Sequence, residues 1–164
     1  MVFVTVGTHE QPFDRLMYEV EELVTEGKLE DVVVQSGYCT VEPKGCRCEQ
    51  FFPYEEMCQL YQKADVVICH GGPSTFLEAM SYGKTPVVVP RRAKYGEHVN
   101  DHQAEFCAAF ERRQGGIVVV DDASLLGDCV KAARKRAASK RSTHAADFCR
   151  GLEMRINEMV EHNQ

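Results

Sequence analysis

No apolar run in this chain approaches the length of a membrane span, and no cationic stretch followed by an apolar one stands at its start. A soluble, intracellular protein is the expectation. Cysteine is plentiful, at eight residues, yet no paired spacing recurs, so a disulfide framework is not indicated and the thiols are expected to be mostly reduced. One C-x-C, Cys46 and Cys48, with Cys39 at a distance falls short of a zinc signature, and there is no Asp-x-Asp to hold a metal. Neither a metal nor a cofactor is expected. The net charge of −6 gives no basis for bulk binding of nucleic acid. With 164 residues the chain can build one domain with a real core, expected to span 1–164.

The most informative stretch that is present runs from Asp65 to Glu78 and reads D-V-V-I-C-H-G-G-P-S-T-F-L-E. Asp65 to Cys69 is short, apolar and rich in branched residues, the pattern of a strand buried on both faces in a parallel sheet. His70, Gly71, Gly72 and Pro73 end it, and Ser74 and Thr75 are residues that start helices. Strand, glycine turn and helix start follow one another. The first turn of a helix presents unpaired N–H groups and a positive dipole end, and glycine lets an anion approach the backbone. A phosphate fits such a seat. Glu78, one turn further, is placed to accept hydrogen bonds from the hydroxyls of a sugar, and His70 stands at the strand's carboxyl end, where open α/β sheets bind ligands. A plain βα turn with a Ser cap and a solvated Glu fits the same residues taken alone.

From His70 onward the chain resembles nucleotide-sugar glycosyltransferases of the GT-B type, with His70, Gly72, Ser74, Thr75 and Glu78 followed by Gly83, Pro86, Pro90, Asn100, Asp101 and Gln103. The resemblance implies that His70, Gly72, Ser74 and Thr75 hold a diphosphate, that Glu78 binds the ribose, and that Asp101 and Gln103 contact the hexose; Gly71, in the same turn, joins the nucleotide-sugar-binding candidates. The fold it implies is α/β: a Rossmann-like, doubly wound parallel sheet of about six strands, forming the C-terminal half of a GT-B enzyme. A chain of 164 residues is short of the two halves that such an enzyme needs.

Along the rest of the chain, Val2 to Val6 reads as a strand ending at Gly7 and Thr8. His9, Glu10 and Gln11 form a polar loop, and a helix begins near Pro12 to Asp14 with Phe13, Leu16, Met17, Val20 and Leu23 close to a 3.6-residue period. Right-handed crossovers put this loop on the same sheet edge as the His70 loop, so Gly7, Thr8, His9 and Glu10 join the candidate site; a solvated turn is the alternative. Val32 to Ser36 is a second strand. Phe51 and Phe52 read as a short third one, and Tyr54 to Lys63 as an amphipathic helix. A helix from Ser74 to Tyr82, a strand from Pro86 to Pro90 and a polar loop from Arg91 to Val99 come next. Arg91 is the cation best placed by position to meet a diphosphate, against the alternative of a solvated basic loop. A helix over Asn100 to Arg113, a strand over Ile117 to Val120, a cap at Asp121 to Ser124, and C-terminal helices from about residue 123, the last over Thr143 to Glu161, complete the reading. Lys131 to Arg141 holds six basic residues and no acidic one, a solvated helix face or a contact with an anionic surface.

The opening V-F-V-T-V-G-T-H-E-Q-P-F-D-R-L, with H-G-G-P-S-T, V-V-V-P-R-R and G-E-H-V-N-D-H-Q, adds a second resemblance, to the catalytic subunit of split bacterial exopolysaccharide or capsule glycosyltransferases of the PssE type. These are relatives of the soluble eukaryotic subunit that, with a membrane-anchored partner, adds the second N-acetylglucosamine to dolichol diphosphate. What the resemblance implies is inverting, metal-independent transfer of a hexose from a UDP-sugar substrate to a lipid-diphosphate-linked saccharide. It implies as partner a membrane-anchored, acceptor-binding subunit that recruits this cytoplasmic chain to the inner face of the plasma membrane. His9 and Glu10 are then the candidates within the chain for the base, unless the partner supplies it. A non-catalytic nucleotide-binding or scaffolding subunit is the rival.

Overall fold

The computed structural model describes residues 1–139. Six short strands, all parallel, form one sheet in the order β3-β2-β1-β4-β5-β6. They are β1 (Val2–Thr5), β2 (Val32–Gln35), β3 (Arg47–Glu49), β4 (Val66–His70), β5 (Val87–Val89) and β6 (Val118–Val119). Between and after them lie helices α1 (Asp14–Thr25), α2 (Tyr54–Lys63), α3 (Pro73–Ser81), α4 (His102–Gln114) and α5 (Leu126–Ser139).

The strands form because branched side chains alternate between two apolar layers. Val2, Val4, Val34, Ile68 and Val89 point to a layer closed by Leu16, Met17 and Val20 of α1 and by Leu126 and Val130 of α5. Phe3, Val67, Cys69 and Val88 point to the opposite layer, filled by Leu60 and Tyr61 of α2, Phe76 and Ala79 of α3, and Cys107 of α4. Both faces are covered, so the expected doubly wound α/β fold is the one observed. Fully burying a side chain of this kind is worth roughly 1.5–3 kcal/mol, so the two layers carry most of the stability.

The third strand departs from the sequence-based expectation. It is Arg47–Glu49, paired with Val33, Val34 and Gln35, and not Phe51–Phe52. As an edge strand it needs no continuous apolar run, and its three residues alternate exposed and half-buried. Phe52 leaves the sheet and packs edge-on to Phe3, with its N–H donated to Gln35 Oε1 at 3.2 Å. α3 begins at Pro73, with Gly72 as the cap residue and no side-chain cap, so Ser74 and Thr75 lie inside the first turn and do not cap it. Asp122 does cap the short turn Ala123–Leu125 that leads into α5, accepting from the Ser124 N–H at 3.1 Å. The helix expected over Thr143 to Glu161, and the end of the basic run, lie outside the described residues. No helix among those described is long and apolar enough to cross a membrane.

β1 and β4 are neighbours in the sheet, and the chain leaves them toward opposite sides. That is the point in an open parallel sheet where a crevice forms at the carboxyl ends of the strands. The loops after β1 and β4 meet there.

Candidate functional site

The imidazole of His70 joins the two loops. A Cβ on Gly7 would fall 2.4 Å from its Cε1, and one on Gly72 would fall 2.3 Å from its Nε2. Glycine is therefore required on both sides of the ring, and at Gly7 a φ of +73° requires it a second time. The ring is 8% exposed, and burial, with Arg91 and His9 adding to it, lowers its pKa to about 4, against an opposing contribution from the Thr5 carbonyl. At neutral pH His70 is uncharged.

The turn that follows remains accessible. Gly72 and Thr75 are half-buried, and Ser74 is exposed. Pro73 has no N–H, and those of Thr75 and Phe76 return to the Gly72 carbonyl at 3.1 and 3.4 Å. Beneath the turn, Gly71 lies against Cys107 Sγ and the Gln103 side chain, each 3.1 Å from where its Cβ would stand. The turn thus rests directly on the first two turns of α4. Gln103 is fixed from the other side, its Oε1 accepting the Arg91 N–H at 3.2 Å, which leaves its amide NH2 as the donor end.

Arg91 is placed differently from the expectation that it faces a diphosphate. It is fully buried, and its guanidinium donates to the carbonyls of Gln11 (2.6 Å), Pro12 (3.3 Å), Glu97 (3.2 Å) and Val6 (3.1 Å) while lying 4.8 Å from the centre of the Phe13 ring. A planar fork with several donors suits a cluster of carbonyls, and its charge is spent on tying the β1 loop to the β5–α4 loop. Asp101 is exposed, with Oδ1 accepting the Ala93 N–H at 2.9 Å, so it closes the same loop.

Of the remaining candidates, Thr8 and Glu10 are exposed on the β1 loop. His9 is half-buried, its pKa lowered by burial and then by Arg91 and His98. Its Nδ1 accepts the Gln11 N–H at 3.1 Å, which puts the proton of the neutral ring on Nε2. Glu78 is half-buried on α3, burial raises its pKa, and it lies within electrostatic reach of Tyr54 in the first turn of α2. The structure thus gathers Gly7, His9, His70, Gly71, Gly72, Arg91 and Gln103 at one point of the sheet edge, with Glu78 toward α2. Among the described residues no group of three or more His, Cys, Asp or Glu side chains is placed to hold a metal ion.

Against known proteins, the model of the glycosyltransferase family 28 C-terminal domain matches residues 1–148. The chain belongs to this family. Among curated relatives, the UDP-N-acetylglucosamine--N-acetylmuramyl-(pentapeptide) pyrophosphoryl-undecaprenol N-acetylglucosamine transferase of Geobacter metallireducens is 31% identical over 96 residues, covering 58% of this chain and 24% of that protein. The human UDP-N-acetylglucosamine transferase subunit ALG13 is 36% identical over 114 residues, covering 63% of this chain and 10% of that one. Two crystal structures share the fold: the kitacinnamycin glycotransferase (TM-score 0.61, 21% identity, 98% of this chain and 42% of that one) and Acinetobacter baumannii MurG (TM-score 0.51, 20% identity, 92% and 48%). The family 28 chain described here spans less than half the length of each. Its sheet is a Rossmann-like domain of the GT-B kind, the C-terminal half of such an enzyme.

Proposed function

We propose that this chain is the donor-binding, catalytic subunit of a two-component glycosyltransferase, moving a hexose from a UDP-sugar to a lipid-diphosphate-linked saccharide in exopolysaccharide or capsule synthesis. A single observation carries the proposal: the accessible turn Gly72–Thr75, braced by the uncharged His70 at the crevice between β1 and β4, in a chain of glycosyltransferase family 28. The diphosphate sits on the backbone of that turn with Ser74 and Thr75, where the helix dipole of α3 offsets its charge. Glu78 takes the ribose hydroxyls, and Asp101 with the amide NH2 of Gln103 takes the hexose. Backbone N–H groups, the dipole and imidazole donors supply the charge stabilisation on departure of UDP in an inverting, metal-independent transfer. Arg91 acts by position, holding the β1 and β5–α4 loops together. His9, with its proton on Nε2, keeps a donor on the β1 loop. That leaves Glu10, or a group of the partner, to take the acceptor's proton.

The acceptor-binding half comes from a membrane-anchored partner that recruits this chain to the inner face of the plasma membrane. The support is its likeness to a relative named as a transferase subunit. Incubation with radiolabelled UDP-sugars, a lipid-diphosphate-linked acceptor and the partner subunit tests this directly. Transfer is expected with wild type and lost with His70→Ala and with Glu78→Ala. Transfer that survives replacement of both residues would assign the chemistry to the partner and leave this chain a scaffold.

A further inference from the structure

His98, in the loop between β5 and α4, repeats the arrangement found at His9. Its Nδ1 accepts the N–H of the residue two positions on, Asn100, at 3.4 Å, as the Nδ1 of His9 accepts from Gln11. Each ring is thereby held by its own loop with the proton of the neutral form on Nε2. The two rings stand 5.1 Å apart between centroids, tilted by 52°, although they come from loops almost ninety positions apart in sequence. Both are half-buried, and both are within electrostatic reach of His70, whose Nε2 edge lies against Gly72. The loop of His98 is anchored on both sides of the ring's neighbour, since Glu97 is buried in a bond to Arg15 and its carbonyl is held by Arg91. Two imidazole N–H donors from opposite loops therefore stand side by side within electrostatic reach of His70.

We propose that His9 and His98 form a two-imidazole clamp on the diphosphate, with His98 contacting the terminal phosphate of UDP. This rests on the donor-site reading above. His98 shares its loop with Asp101 and precedes Gln103, the residues on the hexose side, so it meets the phosphate that carries the sugar and not the one attached to the ribose. The contact is a pair of N–H···O bonds to an anion, the stronger class of hydrogen bond. The clamp closes only when both loops are in place, and Arg91, which bonds carbonyls on both, sets their spacing.

The test compares UDP with UMP by titration calorimetry, using the whole chain and the variants His98→Ala and His98→Gln, each checked for an unchanged thermal melting point. The side-chain amide of Gln can place an N–H close to the position of Nε2. His98→Ala is expected to weaken UDP binding by roughly tenfold while UMP binding changes less than about twofold, and His98→Gln to recover most of the loss. Equal losses for the two nucleotides, or no loss for UDP, overturn the clamp. Glu78→Ala separates this inference from the reading beneath it: if it weakens both nucleotides while His98→Ala weakens neither, the donor site stands and the clamp falls. If wild type binds neither nucleotide, both fall.

Discussion

Arg15 on α1 holds Glu97 of the β5–α4 loop through two bonds, Nε to Oε1 at 2.8 Å and Nη2 to Oε2 at 2.9 Å. The carboxylate also accepts the Arg92 N–H at 2.9 Å, and its side chain is 4% exposed. Such a pair is insulated from water on one side, so removing one partner leaves a charge poorly solvated. Glu97→Ala is expected to lower stability by roughly 3 kcal/mol in urea denaturation, and to weaken UDP binding although Glu97 touches no ligand. Glu97→Gln, which keeps an acceptor for the Arg92 N–H, should lose less. A Glu97→Ala protein as stable as wild type would mean that the loop is held elsewhere.

Arg91 leads to a different expectation. Its donors satisfy four carbonyls inside the protein, and a lysine has neither the planar fork nor the reach to several acceptors at once. Arg91→Lys should therefore be almost as damaging as Arg91→Ala, with a loss on the order of 3–5 kcal/mol. The decisive measurement is the comparison of the two variants' denaturation midpoints. If lysine restored most of the stability, the charge would matter more than the geometry.

Arg91 also marks where the sequence stops being readable. The strands, the parallel sheet and the glycine turn follow from local patterns: branched runs give β1, β2, β4 and β5, and Gly-Gly-Pro ends β4. β3 was illegible because a polar edge strand has no hydrophobic signature, and the neighbouring Phe51–Phe52 offered a stronger one. At Arg91 the residue type was informative but its direction was not. An arginine after a buried strand can face an anion in solvent or turn into carbonyls supplied by another loop, and only the meeting of β1 with β5 decides. The same holds for His98 and Glu97, whose respective partners His9 and Arg15 are more than eighty positions away. No periodicity reports such a contact.

The wedging of His70 between two glycines can be measured as a coupling. At Gly72 the backbone, with φ −72° and ψ 124°, suits any residue, so the objection to a side chain there is the imidazole alone. Gly72→Ala should cost roughly 1–3 kcal/mol, and should cost much less in a His70→Ala background, where the space is empty. A double-mutant cycle reads the difference directly. Additive effects would show that the alanine is resisted by something other than the ring.

The depressed pKa of His70 makes stability depend on pH in a predictable direction. Unfolded, the imidazole titrates near 6.5; folded, burial first and then Arg91 and His9 bring it to about 4. Above pH 6.5 both states are neutral at this position, and the folded protein keeps its full stability. Between those two values the unfolded chain binds a proton that the folded one refuses, so stability falls as the pH falls, and below pH 4 the loss from this group levels off. A separation of this size corresponds to about 3 kcal/mol at most. Carboxylates such as Asp65 and Asp122, whose pKa values are lowered by the N-terminal ammonium and by Ser124, add losses at lower pH, so the measurement must be differential. Urea denaturation from pH 7.5 to 4.5 should give a smaller decline for His70→Asn than for wild type, and the gap should open below pH 6.5. UDP should oppose the wild-type decline, because an anion beside the ring favours its protonated form. Parallel curves for the two proteins, with and without nucleotide, would show that His70 takes up its proton as readily in the folded protein as in the unfolded chain.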